Sequence, residues 1–181
     1  MGGFSDGPAS IRVWRERLNA SDPDAWERAM HRRHDTSPPT LGADADATCS
    51  QAKAMMALVN DATGQHGKDF FDHLQFVNQD FRIEQDAVDA ASGLKNTGEL
   101  SNALFSHGLA CYRFTQYSRI TMPVLVIAGR FDGAIGVEPQ RQLAARLPNA
   151  TFLQYEHSAH FPYLQETKRF SADVTAFLAT H

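Results

Sequence analysis

The sequence lacks a long apolar run and an excess of positive charge. No stretch approaches the roughly 20 apolar residues that a membrane-spanning helix needs, and the first residues have neither the basic nor the apolar region of a secretion signal. The 21 acidic and 17 basic residues give a net charge of −4, which argues against nucleic acid or an anionic lipid surface as a partner. We therefore expect a cytoplasmic protein that acts on a small molecule or a peptide.

Cysteine is scarce as well, and no cluster of metal ligands stands out. Cys49 and Cys111 are the two cysteines, too few for a disulfide framework, and they fit a reducing compartment. We expect two half-buried thiols, with a single bridge as the open alternative. His31 and His34 have the spacing of neighbours on a helix, but no third ligand accompanies them, so a solvated helix face explains them better than a metal site. Neither a metal nor a cofactor is expected.

The first two thirds of the chain have a helical pattern. The 181 residues are enough for one domain with its own core. Ile11, Trp14 and Leu18 share one helical face, and no segment before about residue 115 has the pattern of a strand. The predicted helices are two within residues 10–34 and one each within 50–61, 68–78, 81–92 and 99–110.

The pattern changes at Pro123. Residues 124–128 form a continuous apolar, β-branched run, which is typical of a strand buried on both faces of a parallel sheet. Residues 138–147 predict a helix, residues 151–155 a second strand, and the apolar stripe from Phe170 to Leu178 a final helix. Because crossover connections are right-handed, this βαβα order predicts two parallel strands and an α/β fold class.

Polar segments follow both predicted strands. Asp132 comes shortly after the first strand, and His160 follows the second. Since the carboxyl ends of parallel strands meet at one edge of a sheet, the two side chains can approach each other. A carboxylate beside an imidazole fixes the tautomer of the ring and stabilises the imidazolium that forms when the ring takes a proton. Asp132 and His160 are therefore the candidate catalytic residues.

Two stretches carry a resemblance to a known family: PVLVIAGRFD at residues 123–132 and SAHFPYLQE at residues 158–166. They resemble the closing part of α/β-hydrolases, and are most similar to the proline iminopeptidase-like branch. The resemblance implies the C-terminal portion of an α/β-hydrolase fold, with residues 1–118 as a helical cap and residues 119–181 as part of the core. It also implies a serine hydrolase, of the iminopeptidase or esterase type, in which Asp132 is the triad acid and His160 the general base.

The same resemblance requires a nucleophilic serine in a G-x-S-x-G turn between a strand and a helix. GFSDG at residues 3–7 matches literally, with Ser5 at its centre. The surrounding sequence does not fit such a turn, which is called the nucleophile elbow. Four residues cannot form the preceding strand, and Pro8 stands where the helix should begin. We expect the nucleophile to come from a missing N-terminal half, and the sheet edges to be covered by that half or by self-association. The isolated chain is then expected to be inactive.

Two alternatives stay open. In the second hypothesis, the chain is a non-catalytic, truncated homologue that binds a ligand or a partner. In the third, it is a minimal hydrolase that uses Ser5 itself. The resemblance further implies that carboxylates of the cap receive the free amino group of a substrate, without assigning that role to one residue. The candidates are Glu84, Asp86, Asp89 and Glu99.

Overall fold

A computed structural model describes residues 5–32, 49–64, 67–93, 99–100, 103–105 and 108–180. Of the positions singled out in the sequence, Gly3 and His34 lie outside the described residues. Within the described ranges, no helix is both long enough and apolar enough to cross a membrane.

The first part of the described chain is helical, as its periodicity predicts. Asp6 caps the first helix by accepting a hydrogen bond from the backbone N–H of Ala9 at 2.9 Å, and Asp22 caps the second in the same way. Gly93, at φ +70°, ends the fifth. The helices are α1 (Gly7–Ser21), α2 (Pro23–Arg32), α3 (Cys49–Thr63), α4 (Gly67–Gln75) and α5 (Gln79–Ser92).

The continuous helix predicted over residues 99–110 is not formed. Residues 99–100 and 103–105 are helical, whereas Leu109–Cys111 form a separate 3₁₀ turn. Gly108 precedes this turn with φ +143°, a conformation that no α-helix contains. The apolar periodicity of this segment therefore extends beyond the residues that are α-helical.

The helices pack around one hydrophobic cluster, which includes the predicted face of Ile11, Trp14 and Leu18. Trp14 contacts aromatic rings from two other segments, Phe71 edge-on at 5.1 Å and Phe105 in a tilted arrangement at 5.3 Å between ring centroids. The remaining buried members of the cluster are Ala25, Trp26, Ala29, Ala52, Met55, Leu58, Val59, Leu74 and Ala110. These helices therefore share a core that does not depend on the sheet.

The second part has the predicted βαβα order. Strand β1 (Val124–Gly129) pairs in parallel with β2 (Ala150–Tyr155), in a register that runs from Val124 opposite Ala150 to Gly129 opposite Tyr155. Helix α6 (Val137–Arg146) makes the crossover, and a short helix, α7 (Pro162–Gln165), precedes the final helix, α8 (Thr167–Thr180). The prediction of two parallel strands is confirmed.

The burial predicted for β1 is wrong in part. Val126 and Ala128 are buried, but Val124, Leu125 and Ile127 are only half-buried. Within the described residues the sheet has two strands, so each strand has one neighbour and one unpaired edge. A run of apolar residues fixes the strand, but the number of layers packed around it decides how deeply the strand is buried.

The expectation of two free thiols is also wrong. Cys49 and Cys111 form a disulfide, with 4.7 Å between their Cα atoms, which joins the first residue of α3 to the 3₁₀ turn. A separation of 62 residues carries no geometric information, and only the packing of this turn against α1 and α3 brings the two cysteines within bridging range. The cysteine content therefore does not support a reducing compartment.

Removal of this bridge should destabilise the helical part. In a Cys49→Ser, Cys111→Ser double variant, we expect the free energy of unfolding to fall by up to about 4 kcal/mol, because the bridge closes a loop of 62 residues in the unfolded chain. Urea unfolding of both proteins measures the difference, and a reductant should lower the midpoint of the wild-type chain alone. Two titratable thiols in the unreduced wild-type chain would contradict the bridge.

Candidate functional site

The site lies where the two parallel strands end. Gly129 closes β1, and the chain turns at once: the backbone N–H of Asp132 donates to Gly129 O at 3.0 Å, and that of Phe131 donates to Ser158 O at 3.0 Å. A Cβ atom at Gly129 would overlap the carbonyl oxygens of Ser158 and Ala159. Only glycine lets the loop after β2 approach so closely, and this approach brings Asp132 and His160 together.

The carboxylate of Asp132 is almost completely enclosed, with 2% of the residue exposed. Its Oδ1 accepts hydrogen bonds from the backbone N–H groups of Ala134 at 2.9 Å and Ile135 at 3.0 Å. Its Oδ2 accepts one from Gln140 Nε2 at 2.9 Å and faces His160 Nδ1 at 3.2 Å. Each oxygen of the buried carboxylate thus has two polar partners, which replace the hydrogen bonds that water would otherwise make.

The ring of His160 is held through one nitrogen and open at the other. With Nδ1 directed at a carboxylate, the proton of the neutral ring belongs on Nδ1, and the lone pair belongs on Nε2. In the described residues, Nε2 has no hydrogen-bonding partner, and 21% of the His160 side chain is exposed. The arrangement suits the ring to take a proton at Nε2 from a group that reaches it from outside.

The pKa of Asp132 matches this arrangement. Burial by itself raises the pKa of this carboxyl group, but the hydrogen bond and the charge of His160, with the N–H groups of Ile135 and Ala134, outweigh burial. The net result is a pKa below its ordinary value. Asp132 therefore stays ionised at neutral pH, and its negative charge is available to stabilise an imidazolium.

The C-terminal end of α4 holds both loops of the site, which are the acid loop after β1 (residues 130–136) and the histidine loop after β2 (residues 156–161). The carbonyl oxygen of Leu74 accepts a hydrogen bond from Gly133 N, and that of Gln75 accepts one from His160 N, each at 2.9 Å. A side chain at Gly133 would collide with Leu74. The last carbonyls of a helix have no partners within the helix, and here they bind the acid loop and the histidine loop at the same time.

Helix α1 supports the acid loop from another side. Trp14 Nε1 donates to Ala134 O at 2.7 Å, and Ser10 Oγ donates to Ile135 O at 3.3 Å. Both acceptors belong to residues whose N–H groups bind Asp132. Sequence reasoning placed Trp14 in the helical core and missed its second contact, for which the sequence offers no signal beyond a buried indole that needs an acceptor.

The histidine loop has its own support at Glu166, which lies between α7 and α8. Glu166 Oε2 accepts hydrogen bonds from Ser158 Oγ at 2.6 Å and from His157 N at 3.0 Å. His157 itself is exposed and lies in the turn that follows β2. His160, rather than His157, is the histidine that meets the acid.

Ser5 is not placed like an elbow nucleophile. Its carbonyl oxygen accepts a hydrogen bond from Phe114 N at 2.8 Å, Asp6 and Arg113 form an isolated antiparallel bridge, and α1 begins at Gly7. The residue is buried, with 8% exposed, and in the described part of the chain it makes no hydrogen bond to His160.

No protein-family model matches the chain. The chain is 31% identical over 100 residues to a protein of Pseudomonas syringae pv. syringae named as a carbamate hydrolase, RutD; the match covers 55% of the chain and 38% of that protein. A pimeloyl-[acyl-carrier protein] methyl ester esterase of Aliivibrio salmonicida is 30% identical over 61 residues, 34% of the chain and 23% of the esterase. A proline iminopeptidase of Heyndrickxia coagulans is 38% identical over 64 residues, 35% of the chain and 22% of the iminopeptidase.

These relatives are all α/β-hydrolases, which confirms the resemblance of the chain to this superfamily. The chain spans less than two fifths of the length of each of these three relatives. The three names are those of a carbamate hydrolase, a methyl ester esterase and an iminopeptidase, so the relatives share a superfamily and differ in what they act on.

The ionised state of Asp132 should make the stability of the chain depend on pH. A carboxyl group with a lowered pKa stabilises the fold above its unfolded pKa of about 3.9, and this contribution is lost as the pH falls through the folded pKa. We expect Asp132→Asn to lower the free energy of unfolding by about 1–3 kcal/mol at pH 7, with a smaller difference below about pH 4. Urea unfolding across this pH range is the measurement.

Asp86→Asn provides the matched control, because Asp86 lies in an exposed ion pair with Arg82 on α5. This control should change the free energy of unfolding little at any pH. A difference between wild type and Asp132→Asn that stays constant from pH 7 to pH 3 would contradict an ionised, stabilising Asp132.

Proposed function

We propose that this chain supplies the general base and its carboxylate partner to a serine hydrolase. The observation that carries the proposal is the geometry of His160, whose Nδ1 faces the buried Asp132 at 3.2 Å while Nε2 remains open. In the proposed reaction, Nε2 takes the proton of a serine hydroxyl as that hydroxyl attacks a carbonyl carbon, and then gives it to the leaving group. Asp132 keeps the ring in the required tautomer and stabilises the imidazolium.

The nucleophile is proposed to come from another part of the enzyme. Ser5 lacks the position that the reaction needs, and general base catalysis contributes its factor of about 10²–10⁴ only when the nucleophile is within hydrogen-bond reach of the base. The matched relatives are more than twice as long as the region that they share with this chain, which leaves room for such a part.

The free edges of the sheet are the proposed place of attachment. In the described residues, β1 and β2 each pair on one side only, and Leu125 and Ile127 stay half-buried. An unpaired strand edge beside apolar side chains favours the addition of a further strand. An N-terminal half would cover it, and a second copy of this chain is the alternative cover.

The substrate is proposed to be a small ester, amide or peptide whose reacting end lies between His160 and the helices. Helix α5 contacts α7, which follows the histidine loop: the hydroxyl of Tyr163 donates to Gln85 Oε1 at 3.3 Å, and burial followed by the charge of Asp89 raises the pKa of Tyr163. A substrate with a free amino group would find the carboxylates of α5 near the histidine loop. This placement keeps the iminopeptidase type open beside the esterase type.

Complementation tests the proposal. The 181-residue chain is combined with an N-terminal half of an α/β-hydrolase that carries the nucleophile elbow, and hydrolysis of p-nitrophenyl acetate and prolyl p-nitroanilide is followed. We expect activity only in the combination, and a fall in kcat of at least about 10²-fold for His160→Ala, which removes the base. His157→Ala, the neighbouring exposed histidine, is the matched control and should retain activity.

Full activity in His160→Ala would refute the assignment of the base. Labelling of the isolated chain by a fluorophosphonate probe would instead identify a nucleophile within the chain itself, and Ser5→Ala would show whether that nucleophile is Ser5. Binding of the N-terminal half without any hydrolysis would favour the non-catalytic, partner-binding alternative.

A further inference from the structure

Helix α6 buries a polar residue where its pattern calls for an apolar one. The buried residues of this helix are Gln140 and Ala144. Leu143 lies on the same face of the helix, and Leu147, directly after the helix, packs in the same cluster as Ala144. Gln140 is 1% exposed. A primary amide removed from water costs free energy unless it is hydrogen-bonded, so a glutamine at this position requires a specific partner.

The partner of Gln140 is the carboxylate of the site. Its Nε2 donates to Asp132 Oδ2 at 2.9 Å and is 3.3 Å from Gly136 O, whereas its Oε1 is buried without a hydrogen-bonding partner. Exchange of the two amide atoms would turn Oε1 towards the negative charge of Asp132. The carboxylate therefore fixes the orientation of the amide, although one acceptor is left unsatisfied.

Gln140 and His160 share one oxygen of Asp132. Oδ1 is held by backbone N–H groups of its own turn, whereas Oδ2 lies between Gln140 Nε2 at 2.9 Å and His160 Nδ1 at 3.2 Å. Among the described residues, these are the two side chains that hydrogen-bond to the carboxylate. Gln140 is thus placed to set both the direction and the basicity of the oxygen that faces the ring.

We propose that Gln140 is a positioning residue of the Asp132–His160 pair. It orients Oδ2 of Asp132 towards Nδ1 of His160 and weakens the affinity of that oxygen for a proton. Each donor to a carboxylate favours its ionised form, so the proton of the imidazolium stays on the ring and does not pass to Asp132. The ring can then deliver a proton from Nε2 to a leaving group. The role of Gln140 in catalysis rests on the proposed function, whereas its hydrogen bond to Asp132 does not.

Carbon-13 NMR of the Asp132 carboxyl group in the 181-residue chain tests the proposal without any activity. In Gln140→Met, which keeps the length of the side chain and removes the donor, we expect the titration of Asp132 to move to higher pH by about one unit. Gln142→Met is the matched control on the same helix, because Gln142 is exposed and donates to Glu138 at 3.1 Å. The control should leave the titration of Asp132 unchanged.

A purely structural role would lower the melting temperature of Gln140→Met and leave the titration of Asp132 where it is, which would overturn the proposal. Gln140→Glu provides a second variant of the same shape. Its carboxyl group must share a proton with Asp132, so the titration should again move to higher pH. Unfolding of both Gln140 variants, with Gln142→Met folded, would also overturn the proposal, since it makes Gln140 a structural residue.

The two proposals fail in distinguishable ways. If no N-terminal half restores hydrolysis but Gln140→Met still moves the titration of Asp132, the serine hydrolase assignment fails and the positioning contact stands. If hydrolysis is restored in the complemented wild type, Gln140→Met should lower kcat by about tenfold with little change in KM, because the substrate does not contact Gln140.

Discussion

The buried carboxylate of Asp132 is the constraint on which this structure depends. A negative charge with so little exposure cannot rely on water, and it is stabilised only if the protein provides donors in the right places. Two donors come from its own turn, one from α6 and one from the histidine loop. The turn, the crossover helix and the second strand must therefore all be in place before this charge is tolerated, which ties the chemistry of the site to the integrity of the fold.

The position of the Asp132 carboxylate also depends on the helical part of the chain. Leu74 and Gln75 at the end of α4 bind the acid loop and the histidine loop, while Trp14 and Ser10 of α1 bind the carbonyls of the acid loop. These contacts join residues that are far apart in the sequence, and they connect the hydrophobic cluster of the helices to the two loops. Any displacement of α4 would act on both loops at once, so the distance between Asp132 and His160 depends on a helix that holds the two loops through its backbone carbonyls.

Local pattern predicted much of this architecture. The apolar run of β1, the helical period of α6 and the residues after each strand were sufficient to predict two parallel strands and to nominate Asp132 and His160. Their catalytic role remains a prediction, although the structure brings them within 3.2 Å. Gln140, the Cys49–Cys111 bridge and the half-buried face of β1 could not be predicted, because each depends on how distant segments pack. For Gln140 alone the sequence contained a usable signal, because a glutamine on the apolar face of α6 indicates a buried polar contact.

The surroundings of Ser5 show why a motif needs its structural context. In an elbow, backbone N–H groups at the start of the helix are directed at the oxyanion that develops during the reaction. Here the N–H of Gly7 donates to Tyr112 O at 2.8 Å, and the N–H of Ala9 donates to the capping carboxylate of Asp6. The carboxylate of Asp6 therefore already accepts a hydrogen bond from a backbone N–H group at the start of α1. Because the N–H groups of Gly7 and Ala9 are engaged in this way, the segment around Ser5 forms a helix cap and not an elbow. If His160 is the base that we propose, its nucleophile approaches from the open side of the ring.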